Sequence, residues 1–227
     1  MHLWFLLGFL LAALILDAKD RSSNFVVILA DDMGYGDATC YNPKSKTPTP
    51  HIDRLAREGM RFTDAHSPAS WCVPTRYGIL TGRYPHRADM DWRRKAVIEE
   101  GRTTVGSVLR EQGYSTAMVG KWHLGFDGGP DYDYTKPLVG GPLDRGFDFY
   151  YGMSHSLDIV PYYYINGRKA VMVPNQQIGP RNTEGWSPIQ GKFWRGGPIS
   201  PDFKHVEVLP RFTEQSVDYL RSRRDNA

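Results

Sequence analysis

An α/β fold with a central, mainly parallel sheet flanked by helices is predicted by three observations. Phe25-Val26-Val27-Ile28-Leu29-Ala30 is a continuous β-rich apolar run, the pattern of a strand buried on both faces. Ser115 to Val119 repeats that character further on. Capped helical segments lie between the two, and strands alternating with helices imply parallel pairing.

The elements follow in order. Residues 3–16 form an uncharged apolar run ended by Asp17, Lys19, Asp20 and Arg21. The run is shorter than the ~20 residues of a spanning helix and suits a signal-peptide core, with residues 1–18 removed at Ala18. The exported domain then starts near residue 24. After the first strand come Asp31-Asp32 and the turn-rich Gly34-Tyr35-Gly36-Asp37. Thr49 to Gly59 reads as a helix with Thr49 as cap, Pro50 in first position and Gly59 as stop. Ile52, Leu55 and Ala56 make its inner stripe, and Met60 to Ala65 reads as extended. Pro74 is expected to open the next helix. Thr104 to Gln112 is a further helix stopped by Gly113. Residues 128–204, rich in Gly, Pro and Tyr, read as long loops over the sheet, a length uncommon without a function. Phe212 to Arg223 is the last helix, with Val217, Leu220 and Tyr219 facing inward.

Composition sets limits. The 227 residues suffice for one sizeable domain, and the formal charge of +3 is mildly basic. No Lys/Arg tract alternates with aromatics, so nucleic acid is not the expected partner. Arg93-Arg94-Lys95 and Arg221 to Arg224 read as solvated surface. Two cysteines, Cys40 and Cys72, are too few for a disulfide scaffold.

The chemistry concentrates in three segments. Adjacent carboxylates Asp31 and Asp32 repel unless a cation compensates, and oxygen donors suit Ca²⁺ or Mg²⁺. Cys72-Val73-Pro74-Thr75-Arg76 puts a thiol at a helix N-terminus with Arg76 one turn on and on the same side, an arrangement suited to an oxyanion. In Gly120-Lys121-Trp122-His123-Leu124-Gly125, an extended backbone would turn Lys121 and His123 to one face. His51, His66, His86 and His205 read as structural or surface residues.

Cys72 to Arg76 resembles the maturation motif Cys-x-Pro-Ser/Thr-Arg of the formylglycine-dependent sulfatases. The Asp31-Asp32 and Gly120 to Gly125 segments match the same family, and the resemblance covers nearly all of residues 25–223. It implies the alkaline-phosphatase-like α/β fold and oxidation of Cys72 to formylglycine (3-oxoalanine) by a formylglycine-generating enzyme. The hydrated aldehyde would attack the sulfur of a sulfate ester and expel the alcohol; its second hydroxyl then allows sulfate to leave. By the same resemblance Asp31, Asp32 and the modified Cys72 bind Ca²⁺ (or Mg²⁺). Arg76 holds the formylglycine neighbourhood, Lys121 contacts sulfate, His123 meets the diol, and Ser154 of a loop after Gly146-Phe147-Asp148 offers a hydroxyl to the sulfate. Thr75 stands where Ser is commoner.

The implied protein is a secreted or periplasmic sulfatase with no membrane span after signal cleavage. Its substrate is a sulfated carbohydrate or polysaccharide, or an aryl sulfate. A phosphonate monoester hydrolase or phosphodiesterase on the same scaffold would carry the same signature. The family's later Asp-Asn metal ligands and further sulfate-binding His and Lys are not in the chain, and Asp225-Asn226 is expected to be a coincidence. The chain is therefore expected to be a truncated N-terminal part of the catalytic domain, inactive and poorly stable by itself with an unpaired sheet edge.

Overall fold

The computed structural model describes residues 23–129, 132–181 and 194–224. The expected signal peptide, residues 1–18, and Asp225-Asn226 lie outside them. The chain divides into two compact units, Met1–Phe62 and Thr63–Ala227.

In the first unit the expected strand does not form. Residues 25–30 are irregular, and Val27 and Ile28 are more than four-fifths exposed. A strand needs ladder partners for its N–H and C=O groups, and no described strand supplies them. The helix is present as α1, Pro50–Glu58, with Thr49 and Gly59 at its ends. Thr49 does not cap through its side chain. Its hydroxyl instead donates to Asp53 Oδ1 at 3.1 Å, and the Cys40 N–H donates to the same oxygen at 2.8 Å. With hydroxyl bonds led by Thr39, these hold the Asp53 carboxyl below its usual range. The expected inner stripe is not buried: Ile52 and Leu55 are exposed and Ala56 is half-buried. Residues 60–65 form no strand.

The second unit holds the core. Helix α2 spans Cys72–Thr81 and starts two residues before Pro74. The first turn needs no N–H partner, so proline is tolerated there without opening the helix. Gly82, at φ 64°, closes it in the left-handed conformation. Helix α3, Val105–Glu111, opens on a capping box in which Thr104 and Ser107 satisfy each other's backbone N–H. Strand β1 spans Ala117–Lys121, two residues later than expected. The shift follows from its partner: Thr116 is tied to Asp148 by N–H donation to Oδ2 at 2.9 Å, which sets the register of the pair that follows.

The region read as long loops contains five strands: β2 Phe149–Met153, β3 Tyr164–Asn166, β4 Lys169–Ala170, β5 Gln176–Ile178 and β6 Gly197–Ile199. The main sheet runs β1-β2-β3-β4, with β1 and β2 parallel and the other junctions antiparallel. β5 and β6 form a separate antiparallel pair.

Two apolar clusters sandwich this sheet, as the period-2 alternation of a strand requires. Tyr150, Tyr163 and Ile165 join Trp122, Leu124, Ile98 and Tyr77 on one face. Tyr151, Tyr162 and Tyr164 join Phe203 and Val208 on the other. Burial of each large side chain is worth about 1.5–3 kcal/mol. Helix α4, Val208–Arg224, covers the second cluster through Val208 and Phe212. Val217 and Leu220, expected to face inward, are exposed, whereas Tyr219 packs on Phe149 at 5.0 Å.

Candidate active site

The carboxyl ends of β1 and β2 lie side by side, with Lys121 opposite Met153. The ladder continues past both strands. The Trp122 N–H donates to the Met153 carbonyl at 3.0 Å and the His123 N–H to the Ser154 carbonyl at 2.9 Å. Ser154 therefore sits at a buried strand end and not in an open loop. Its Oγ lies 3.1 Å from His155 Nδ1.

The two strands approach so closely that a Cβ on Gly152 would collide with the Gly120 carbonyl. Only glycine fits there.

His123 does not continue the extended alternation. Its φ is 54°, a left-handed conformation uncommon outside glycine. Trp122 fills the core and donates its ring N–H to the Gly125 carbonyl at 2.8 Å. The backbone turn leaves His123 2% exposed, and among the described residues neither ring nitrogen has a hydrogen-bond partner. A buried polar ring with both nitrogens unsatisfied is costly. Burial, and then Lys121, His155, Arg76 and Arg93, push its pKa down to about 2. His155 is lowered to about 4 by burial first, then by Arg93 and Lys121. After burial, the leading neighbours acting on these two rings are cations or the other histidine, so the local field favours negative charge.

Helix α2 brings the signature to this edge. Arg76 Nη1 donates to the Lys121 carbonyl at 2.7 Å, which fastens α2, one turn past Cys72, to the end of β1. Cys72 is the first residue of α2, half-buried against the Trp122 cluster, and is a free thiol, as is Cys40. Thr75 donates its hydroxyl to the Ala69 carbonyl at 2.8 Å, a role serine could also fill.

Three participants lie outside the three motif segments, and the sequence pattern places Arg93 in a solvated basic cluster. Trp92 lies edge-on to His123 at 4.6 Å and against His155 at 4.5 Å. Arg93 stacks over Trp92 at 4.6 Å. Tyr163 is buried and hydrogen-bonded to Ser154, and burial drives its pKa well up. None belongs to a periodic pattern or a motif.

Asp31 and Asp32 belong to the first unit, where both are exposed and Asp32 has φ 57°. Among the described residues no three His, Cys, Asp or Glu group so as to hold a metal. Two carboxylates have the right donor chemistry for Ca²⁺ but fall short of its roughly 6–8 oxygens. The described donors do not make a metal shell.

In the second unit, then, buried Lys121 and His123 lie at the carboxyl edge of a parallel strand pair, tied through Arg76 to a helix that begins with a cysteine. Such an edge is the usual place for an α/β active site. Residues 23–175 match the family described as Sulfatase, and the chain belongs to that family. N-acetylgalactosamine-6-O-sulfatase of Bacteroides thetaiotaomicron is 36% identical over 165 residues, 70% of this chain and 32% of that protein. Human arylsulfatase A is 42% identical over 151 residues, 63% of this chain and 28% of that protein. The chain thus spans about a third of the length of these curated relatives. A solved Bacteroides thetaiotaomicron structure, described under metabolism of multiple glycosaminoglycans, superposes with a TM-score of 0.74. It is 27% identical and aligns with 89% of this chain and 48% of that chain. The fold is accordingly the alkaline-phosphatase-like α/β fold of the sulfatases.

Proposed function

We propose that this chain carries part of the catalytic machinery of a sulfate-ester hydrolase, R–O–SO₃⁻ + H₂O → R–OH + sulfate. The observation that carries the reading is His123, buried with both ring nitrogens unsatisfied among the described residues and in the field of Lys121 and Arg76. Family membership supplies the reaction class. The domain is proposed to begin near residue 24, after an export signal at residues 1–18, and to lie in the periplasm or outside the cell. No described helix is long and apolar enough to cross a membrane.

Oxidised by a formylglycine-generating enzyme, Cys72 would supply a hydrated aldehyde as the nucleophile. Lys121 offers its ammonium to the sulfate oxygens. Arg76 holds the β1 end against α2 and adds positive charge where the sulfuryl oxygens would sit. His123, neutral at working pH, can accept a hydrogen bond at its bare ring nitrogen from a hydroxyl of the hydrated aldehyde. Ser154 can donate its hydroxyl to a sulfate oxygen. Asp31 and Asp32 are proposed as carboxylate ligands of Ca²⁺, on family resemblance alone.

A sulfated carbohydrate is the favoured substrate, supported by the Bacteroides relative, with an aryl sulfate as the second choice, supported by arylsulfatase A. The sulfatase names of these relatives favour sulfate over a phosphonate or phosphodiester. The test compares turnover of aryl sulfate and aryl phosphate by the whole gene product, matured with the generating enzyme and supplied with Ca²⁺. Preference for the sulfate is expected; a strong preference for phosphate would overturn the reading.

A further inference from the structure

We propose that Trp92 and Arg93 form a rim subsite that binds a second anionic group of the substrate, a sulfate or carboxylate beside the ester that is cleaved. The proposal rests on the sulfatase reading for the identity of the cleaved group and on independent geometry for the second.

The basic triplet 93–95 is not uniform. Arg94 is neutralised by Asp91, Nε to Oδ2 at 2.7 Å, and Lys95 by Asp89 at 3.3 Å. Arg93 is exposed and has no ion pair among the described residues. Its guanidinium carbon lies over the Trp92 ring, 4.6 Å from the centroid. An exposed guanidinium held over a ring can still offer its N–H fork to a sulfate or carboxylate in two-point contact.

The position is tied to the site. The Trp92 ring also meets His123 and His155, so Arg93 sits one ring away from the buried histidine pair. The turn that carries it is fixed. The Val97 N–H donates to the Leu124 carbonyl at 2.8 Å, and Gly125, at φ 71°, packs where a Cβ would strike the carbonyls of Trp92 and Lys95. Arg93 also contributes to the depressed pKa values of both histidines, so its charge is within electrostatic reach of both rings. A purely covering role for Arg93 would need only its stem over Trp92; an exposed charge without an ion pair among the described residues, one ring from the histidine pair, supports the ligand role.

The test uses the full chain with Cys72→Ala, which prevents turnover, and isothermal calorimetry with a disulfated hexosamine and its monosulfated counterpart at low salt. The disulfated ligand is expected to bind about tenfold more tightly, as one charge-assisted contact implies. Arg93→Gln should bring the two affinities within about twofold, and Arg93→Lys should restore only part of the difference. Unfolding curves of both variants should match the parent, because the residue is exposed. An unchanged ratio in Arg93→Gln, equal affinities in the parent, or no binding of either ligand would each overturn the proposal. Sulfate release by the unmutated gene product is measured separately: a preserved affinity ratio without release sinks the sulfatase reading and leaves the subsite standing.

Discussion

Arg76 reaches across from α2 to the backbone of β1, where its Nη1 donates to the Lys121 carbonyl at 2.7 Å. One side chain thereby couples the two segments that carry the cysteine signature and the Lys-Trp-His sequence. The bond is charge-assisted and half-buried, so it fixes a distance as well as balancing charge.

Replacing Arg76 with Ala should cost about 2 kcal/mol, since a partly buried carbonyl loses a charged donor. Chemical denaturation measures this as a lower midpoint at an unchanged slope. Arg76→Lys should recover some stability but less activity, because an ammonium cannot reproduce the fork. Equal stability of Arg76→Ala and the parent would show that the bond does not hold the two elements together.

Maturation is read directly at Cys72. Protein made alongside a formylglycine-generating enzyme should show a peptide across Cys72 lighter by roughly 18 Da, the exchange of a thiol for an aldehyde. Cys72→Ser should remain unmodified and release no sulfate. An intact thiol in protein from a host possessing that enzyme would count heavily against the mechanism.

Acid should destabilise the fold through His123. Its folded pKa is depressed to about 2, against 6.5 for the free side chain. Below pH 6.5 the unfolded chain takes up a proton that the folded state refuses, so stability is full above that value and falls as pH drops. Between pH 7 and 5.5 the loss from this residue is about 1 kcal/mol. His155, lowered to about 4, adds a loss in the same direction. His123→Gln should flatten the pH dependence of the thermal midpoint; an unaltered slope would refute the assignment to His123.

Gly152→Ala should be among the most damaging single substitutions in the chain. Its Cβ would enter the Gly120 carbonyl, backbone that cannot swing aside, so the β1–β2 pair must separate. A cost of about 3 kcal/mol or more is expected, at the upper end for overpacking. A circular-dichroism melt would detect it, and an unshifted midpoint would show that the strands can slide.

The helices were legible because their signals are local. Thr49, Pro50 and Gly59 bracket α1, and Thr104 with Ser107 opens α3. The strands were less so. Phe149-Tyr-Tyr-Gly-Met looks like a loop, having no β-branched residue and a glycine within it, yet it becomes β2 because β1 offers it a parallel partner. Phe25 to Ala30 has the opposite history: strong strand propensity without a ladder leaves it irregular and exposed. Propensity for β structure is a preference for a partner's surface, and pairing decides it.

The sequence by itself determined the family, through Cys72 to Arg76 and the segment from Gly120 to Gly125, because those motifs place chemistry at fixed short spacings. Only the tertiary structure decided that His123 turns inward with both nitrogens unsatisfied among the described residues, that Ser154 follows a buried strand beside it, and that Arg93 lies over Trp92 next to the histidine pair. The reason is distance along the chain. Arg76 and Lys121 are brought together by packing and register, long-range effects that no local pattern of side chains can specify.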